Sequence, residues 1–107
     1  MEEIKIEIAK DFGEKLGGRW ERLGPNSGEL FYNKILKSKF EEAVAKNSKL
    51  QIYLDGTKGY GSSFLDQSFG ELARNFSVEK VENIIIFHTL FFEWNVKYIK
   101  EEIWSKK

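Results

Sequence analysis

Cysteine is absent from the 107 residues, which excludes disulfides, thiolate metal sites and cysteine nucleophiles and suits a reducing, cytoplasmic setting. Proline occurs once and glycine nine times, too few for a low-complexity or disordered chain. Neither sign of charge dominates: 17 basic and 17 acidic residues cancel to a formal charge of zero, so no global field recruits nucleic acid or an anionic membrane. Long hydrophobic runs are missing too. The longest, Ile84 to Phe87, is far short of the ~20 residues of a spanning helix, and His88 separates it from the Thr89 to Phe92 stretch. The N-terminus alternates Ile4, Ile6 and Ile8 with Lys5 and Glu7, without the basic and apolar regions of a signal peptide. The expectation is a soluble cytoplasmic protein with no nucleic-acid or membrane partner.

What is present supports one folded domain over 1–107. Hydrophobic residues make up 41% of the chain, and nine Phe bring large side chains to a small core. The period-two isoleucines at 4, 6 and 8 predict a strand with one buried face. Arg19 to Leu23 reads either as a short second strand or as an ordered loop. Gly24-Pro25-Asn26-Ser27-Gly28 is turn chemistry, and Asn26 stands three residues before Glu29, the spacing of a capping box. Leu30, Phe31, Ile35, Leu36, Phe40, Ala43 and Val44 then fall at helical spacing, up to a stop at Asn47-Ser48.

Leu50, Ile52 and Leu54 predict a central strand, followed by a glycine-rich turn. Leu65, Phe69, Leu72, Ala73 and Phe76 predict an amphipathic helix starting at Ser63, with Gly70 inside it to permit close approach to the sheet. Ser77 caps a short turn, residues 83–87 read as a buried strand, and a last helix runs from about Leu90 to Trp104 with Phe91, Trp94, Ile99 and Ile103 inward. Strand and helix alternate with crossovers long enough for parallel pairing. The fold class is therefore α/β: a mostly parallel or mixed sheet of about four strands packed with three main helices.

Sites in such sheets lie beyond the carboxyl ends of the strands, where residues 55–63 fall. Gly56-Thr57-Lys58-Gly59-Tyr60-Gly61-Ser62-Ser63 has the glycines and hydroxyls of a phosphate-binding loop between strand and helix. Ser62 occupies the place of the lysine that a P-loop requires, and no later strand ends in an acid to hold Mg²⁺, so NTP hydrolysis is not expected. No catalytic residue, metal or cofactor is assigned. A second chemistry fits the same segment: phosphorylation of a serine at the helix start would add charge where the dipole favours it. Its bland counterpart makes Ser62 or Ser63 the N-cap, with Asp66 closing a capping box. Asp55 is read as a turn former rather than a metal ligand or base, and His88 as structural. Trp94, Tyr98 and Trp104 are read as core before recognition surface. Arg19, beside Trp20 and between glycine-rich turns, is equally a clamp for an anion or partner carboxylate and a member of a surface salt bridge.

Three blocks, Gly17-Gly18-Arg19-Trp20, Gly24-Pro25-Asn26-Ser27-Gly28-Glu29 and the run from Leu54 through Gly70, together resemble the bacterial STAS-like domain family of unknown function. The resemblance implies kinship with STAS domains, including anti-sigma-factor antagonists, which carry a phosphorylatable serine at the start of the helix after a central strand. On that comparison Ser62 holds the phosphoacceptor position and Ser63 follows it. Gly61 stands where antagonists carry Asp, and Phe64 where they carry Gly. The family further implies a protein partner, a histidine-kinase-like ATPase or anti-sigma-type kinase. The reading is a non-enzymatic, partner-switching regulatory module acting through Arg19, Asp55, Gly56, Thr57, Gly59, Tyr60, Gly61, Phe64 and Asp66, with Ser62 and Ser63 as phosphoacceptors. The alternative is a small-ligand sensor binding a nucleotide or other anion at the glycine-rich turn. Oligomeric state is not legible.

Overall fold

The computed structural model describes residues 4–20, 22 and 24–105. Three strands, β1 (Ile4–Glu7), β2 (Leu50–Tyr53) and β3 (Ile85–His88), form a wholly parallel sheet in the order β1-β2-β3. Five helices accompany them: α1 (Ile8–Asp11), α2 (28–45), α3 (62–76), α4 (Val78–Ile84) and α5 (93–103). The longer three each contain a π-helical turn, at Tyr32–Leu36, Asp66–Gly70 and Ile99–Ile103.

The expected sheet of about four strands is thus three among the described residues. The described part of the Arg19 to Leu23 segment is an ordered loop, tied down by Gly28 N–H donating to Gly18 O (2.8 Å) and Glu29 N–H to Arg19 O (3.0 Å). Glu21 and Leu23, which the strand alternative also used, lie outside the described residues.

Register explains which side chains are buried. Ile4, Leu50 and Ile85 lie abreast, as do Ile6, Ile52 and Phe87, and this face meets Phe31, Leu36, Phe40, Phe69 and Leu72 of the helices in one core. Lys5, Gln51 and Ile86 alternate to the other face, so β2 is central yet polar on one side. β3 is an edge strand, and the expected burial along 83–87 fails at Ile86, which is 38% exposed. Asn83 and Ile84 belong to α4 instead.

Local signals moved by a residue or two. Ser27, not Asn26, caps α2: its hydroxyl accepts Leu30 N–H at 3.0 Å. Asn26 takes a left-handed φ of 55°, which Asn tolerates, and its amide donates to Lys15 O at 2.8 Å. Val44, placed on the inner face of α2, is 38% exposed. Helix α3 starts at Ser62 with Gly61 at the N-cap, and no side chain caps it. The expected Ser-to-Asp66 capping box therefore does not form. Gly70 serves contact between helices rather than helix and sheet: a Cβ there would lie 3.1 Å from Ile103 Cγ2 of α5 and 2.8 Å from Asp66 Oδ1.

The largest departure is in α5. Ile99 and Ile103 are buried as expected, but Phe91 is 78% and Trp94 79% exposed. The helix begins at Glu93, and the stripe that meets the core is Phe92, Val96, Ile99 and Ile103, spaced four, three and four. Trp94 is two residues from Val96 on this helix and so projects away from the core. Trp104 is core, as expected, its indole N–H donating to Phe69 O at 3.0 Å.

Candidate functional site

Leu54 closes β2 inside the core and extends the ladder by donating its N–H to His88 O at 3.0 Å. The chain then leaves the sheet at Asp55. Its carboxylate does not fold back on its own turn, as read from sequence. Oδ1 accepts the Thr89 hydroxyl (2.5 Å) and Phe91 N–H (3.2 Å), and Oδ2 accepts Leu90 N–H (2.7 Å). Thr89 Oγ1 in turn accepts Phe92 N–H at 2.9 Å. One acid at the end of β2 thereby orders the loop between β3 and α5. Although burial opposes ionisation, the Thr89, Leu90 and Phe91 donors outweigh it and hold the Asp55 carboxyl below its ordinary range.

The turn itself is tightly tied. Gly56 has φ of +100°, and a Cβ on it would lie 2.9 Å from Ala9 Cβ. Lys58 N–H donates to Glu14 O at 2.7 Å. Tyr60 folds beneath the turn, donating its hydroxyl to Leu54 O at 2.7 Å and setting its ring edge-on to Phe92 at 5.1 Å. Burial raises the Tyr60 phenol well above its usual range. Thr57 Oγ1 is buried without a hydrogen-bond partner among the described residues. Gly59 carries φ of +142°, and Gly61, extended at φ −80° and ψ 152°, delivers the chain into α3.

Ser62 and Ser63 occupy the first two positions of α3 and both are exposed. The next residue, Phe64, is buried and stacks on Phe31 with ring centres 5.7 Å apart, anchoring the helix start to α2. Asp66, one turn on, belongs to an ionic cluster: Arg19 Nη1 lies 2.6 Å from Asp66 Oδ2 and 3.5 Å from Gln67 Oε1, and Arg74 Nη1 is 3.5 Å from Asp66 Oδ1. Burial disfavours the Asp66 charge, but the Arg19 hydrogen bond and the Arg74 and Arg19 charges hold its carboxyl below the usual range. Of the two readings of Arg19, the ion pair is the one seen. Its role is to strap the 17–28 loop onto α3.

Ser62 also lines a cleft of about 430 Å³ between α3 and α5, with Tyr60, Leu65, Trp94 and Tyr98 as its apolar walls and Lys97, Glu101 and Glu102 at its margins. The structure thus joins Tyr60 and Ser62 in one cleft and joins Arg19 to Asp66 in a separate strap. Asp55 stands apart from both as the anchor of the 89–92 loop, and Phe64 belongs to the core beneath. His88, read as structural, stacks on Tyr53 (4.5 Å) and meets Gln51 Oε1 at 2.5 Å. The α5 wall is not legible in sequence when Trp94 and Tyr98 are read as core. The spacing of Phe92, Val96, Ile99 and Ile103 was the signal that would have turned them outward.

Among the described residues no helix is long and apolar enough to cross a membrane, and no group of three or more His, Cys, Asp or Glu is disposed to hold a metal ion. Residues 27–90 match a family model described as a STAS-like domain of unknown function (DUF4325). No curated protein and no solved structure matches the chain. The matched stretch runs from the cap of α2 to the loop after β3, so it contains Ser62 but not α5.

Proposed function

The chain belongs to the STAS-like domain family, and on that premise we propose that it is a non-enzymatic regulatory interaction module switched by phosphorylation of Ser62. The observation that carries the reading is the setting of Ser62. Its hydroxyl is exposed at the first turn of α3, free of any capping duty, on the wall of an apolar cleft. A phosphate there would add about −1.5 to −2 charges at a helix start whose backbone N–H groups favour them. The same charges would face Tyr60, Leu65 and Trp94, so a partner seated in the cleft would meet a polar wall in place of an apolar one. The partner implied by family kinship is an ATPase of the histidine-kinase type acting as the kinase.

The test is incubation with ATP and candidate kinase-like ATPases, followed by intact-mass measurement. The expected result is a single phosphate gain that Ser62→Ala abolishes, with partner affinity changed at least tenfold by Ser62→Asp. No phosphate gain, together with unaltered partner binding by Ser62→Asp, rejects the switch.

A further inference from the structure

We propose that the outward face of α5 is a self-association surface that takes a second copy of this chain across a two-fold axis. Leu90, Phe91 and Trp94 are 80%, 78% and 79% exposed, the three most exposed large apolar side chains among the described residues, and they follow one another at the entry to a single helix. Tyr98, one turn beyond Trp94, is 39% exposed. Side chains scattered singly on a surface need no explanation, whereas an aromatic cluster of this kind does.

The cluster is held in place rather than loose. Asp55 accepts the backbone N–H groups of both Leu90 and Phe91, and Thr89 accepts that of Phe92. Phe92 packs against the core while its two predecessors are turned out. A loop ordered before contact loses little conformational entropy on binding, which is how an anchor residue is best presented.

Charge and area favour a second copy as the occupant. The chain is electrically neutral, so no long-range repulsion opposes self-contact. The face carries both signs, with Glu93 and Lys97 exposed one turn apart on either side of Asn95. An antiparallel pair of α5 helices, related by an axis that crosses the Glu93–Lys97 side of the helix at the level of residue 95, sets Glu93 of each copy opposite Lys97 of the other, making two reciprocal ion pairs beside Trp94, whose ring already lies under Lys97 Nζ at 5.2 Å. Parallel pairing in register would set like charges together. Leu90, Phe91 and Trp94 leave on the order of 400 Å² in water in each copy. Two copies therefore hide about 800 Å² from these side chains alone, against roughly 1,000 Å² for a specific interface, and Tyr98 and the Lys97 stem supply the remainder. The total is at the low end of specific interfaces, so the dimer is reversible and concentration-dependent.

Sedimentation velocity of the full, unphosphorylated chain without any ATPase, from about 5 μM to about 500 μM, tests this apart from the Ser62 switch. The expected result is a concentration-dependent rise from monomer to dimer. Phe91→Ser and Trp94→Ser each weaken it at least tenfold with an unchanged thermal melt, because both side chains are already in water. Glu93→Lys and Lys97→Glu each weaken self-association, and mixing the two variants restores a heterodimer of parental affinity. A monomer throughout, a dimer indifferent to Phe91 and Trp94, or a mixture no tighter than its components overturns the proposal.

Discussion

Gly28 is the contact point on which the position of α3 depends, and replacing it by Ala is expected to destabilise the protein despite the better helix propensity of Ala. Gly28 opens α2 and is buried against α3, where an added Cβ would lie 2.6 Å from the backbone oxygen of Phe64 and 3.2 Å from Gln67 Cβ. The oxygen is main chain and cannot swing aside, so the helices must part by about 0.8 Å to reach ordinary contact. Overpacking of this kind costs roughly 1 to 3 kcal/mol, and Ala returns at most about 1 kcal/mol over Gly. From the middle of that range the expected net loss is about 1 kcal/mol. With an unfolding entropy near 2.1 cal/mol/K per residue, the 107 residues give about 0.22 kcal/mol/K, so the melting temperature should fall by about 5 °C. Circular dichroism melts and urea titrations with an unchanged m-value would measure it. A Gly28→Ala variant melting within about 2 °C of the parent, or above it, would refute the argument that the gap between α2 and α3 is filled by backbone.

Trp104→Phe removes the indole donor to Phe69 O from a fully buried site and leaves a gap beside Phe87; a loss of about 2 to 3 kcal/mol by urea denaturation is expected. Arg19→Gln breaks a partly exposed ion pair with Asp66, so the cost should be only about 0.5 to 1 kcal/mol and should vanish in 1 M NaCl, checked by melts at low and high salt. Asp55 and Asp66 both titrate below their ordinary range in the folded chain. Their contributions are therefore present above the unfolded carboxyl value of about 4 and are lost as pH falls through the depressed folded values. Asp55→Asn should flatten that acid limb in melts taken from pH 6 to pH 2, and should speed amide exchange at Leu90 and Phe91.

Much of the fold was legible because its signals are local. Ile4 and Ile6 alternate, Phe31, Leu36 and Phe40 recur at helical spacing, and Ser62-Ser63 stands between a glycine turn and an apolar stripe; period and turn chemistry convert these into elements without reference to the rest of the chain. The errors fall where two local readings compete and a distant residue chooses. Asn26 and Ser27 are both good caps, and the choice follows from Asn26 being drawn to Lys15 O. Leu90 and Phe91 continue an apolar helix pattern on paper, yet Asp55, 35 residues earlier, takes their N–H groups and delays the helix to Glu93. That delay selects Phe92, Val96, Ile99 and Ile103 as the buried stripe and leaves Trp94 in water.

The α/β class, connections long enough for parallel pairing and the family are legible in the chain alone, because hydrophobic period, connection length and the glycine-serine block are properties of contiguous residues, whereas the wholly parallel sheet of three strands is a tertiary result. It also singled out Ser62, at a helix start after the central strand. What surrounds that serine depends on contacts between segments far apart in the chain. Arg19 is paired with Asp66, and the wall facing Ser62 is the aromatic side of α5. Both outcomes are pairings between segments far apart in the chain, decided by which carboxylate reaches which donor once the core has closed.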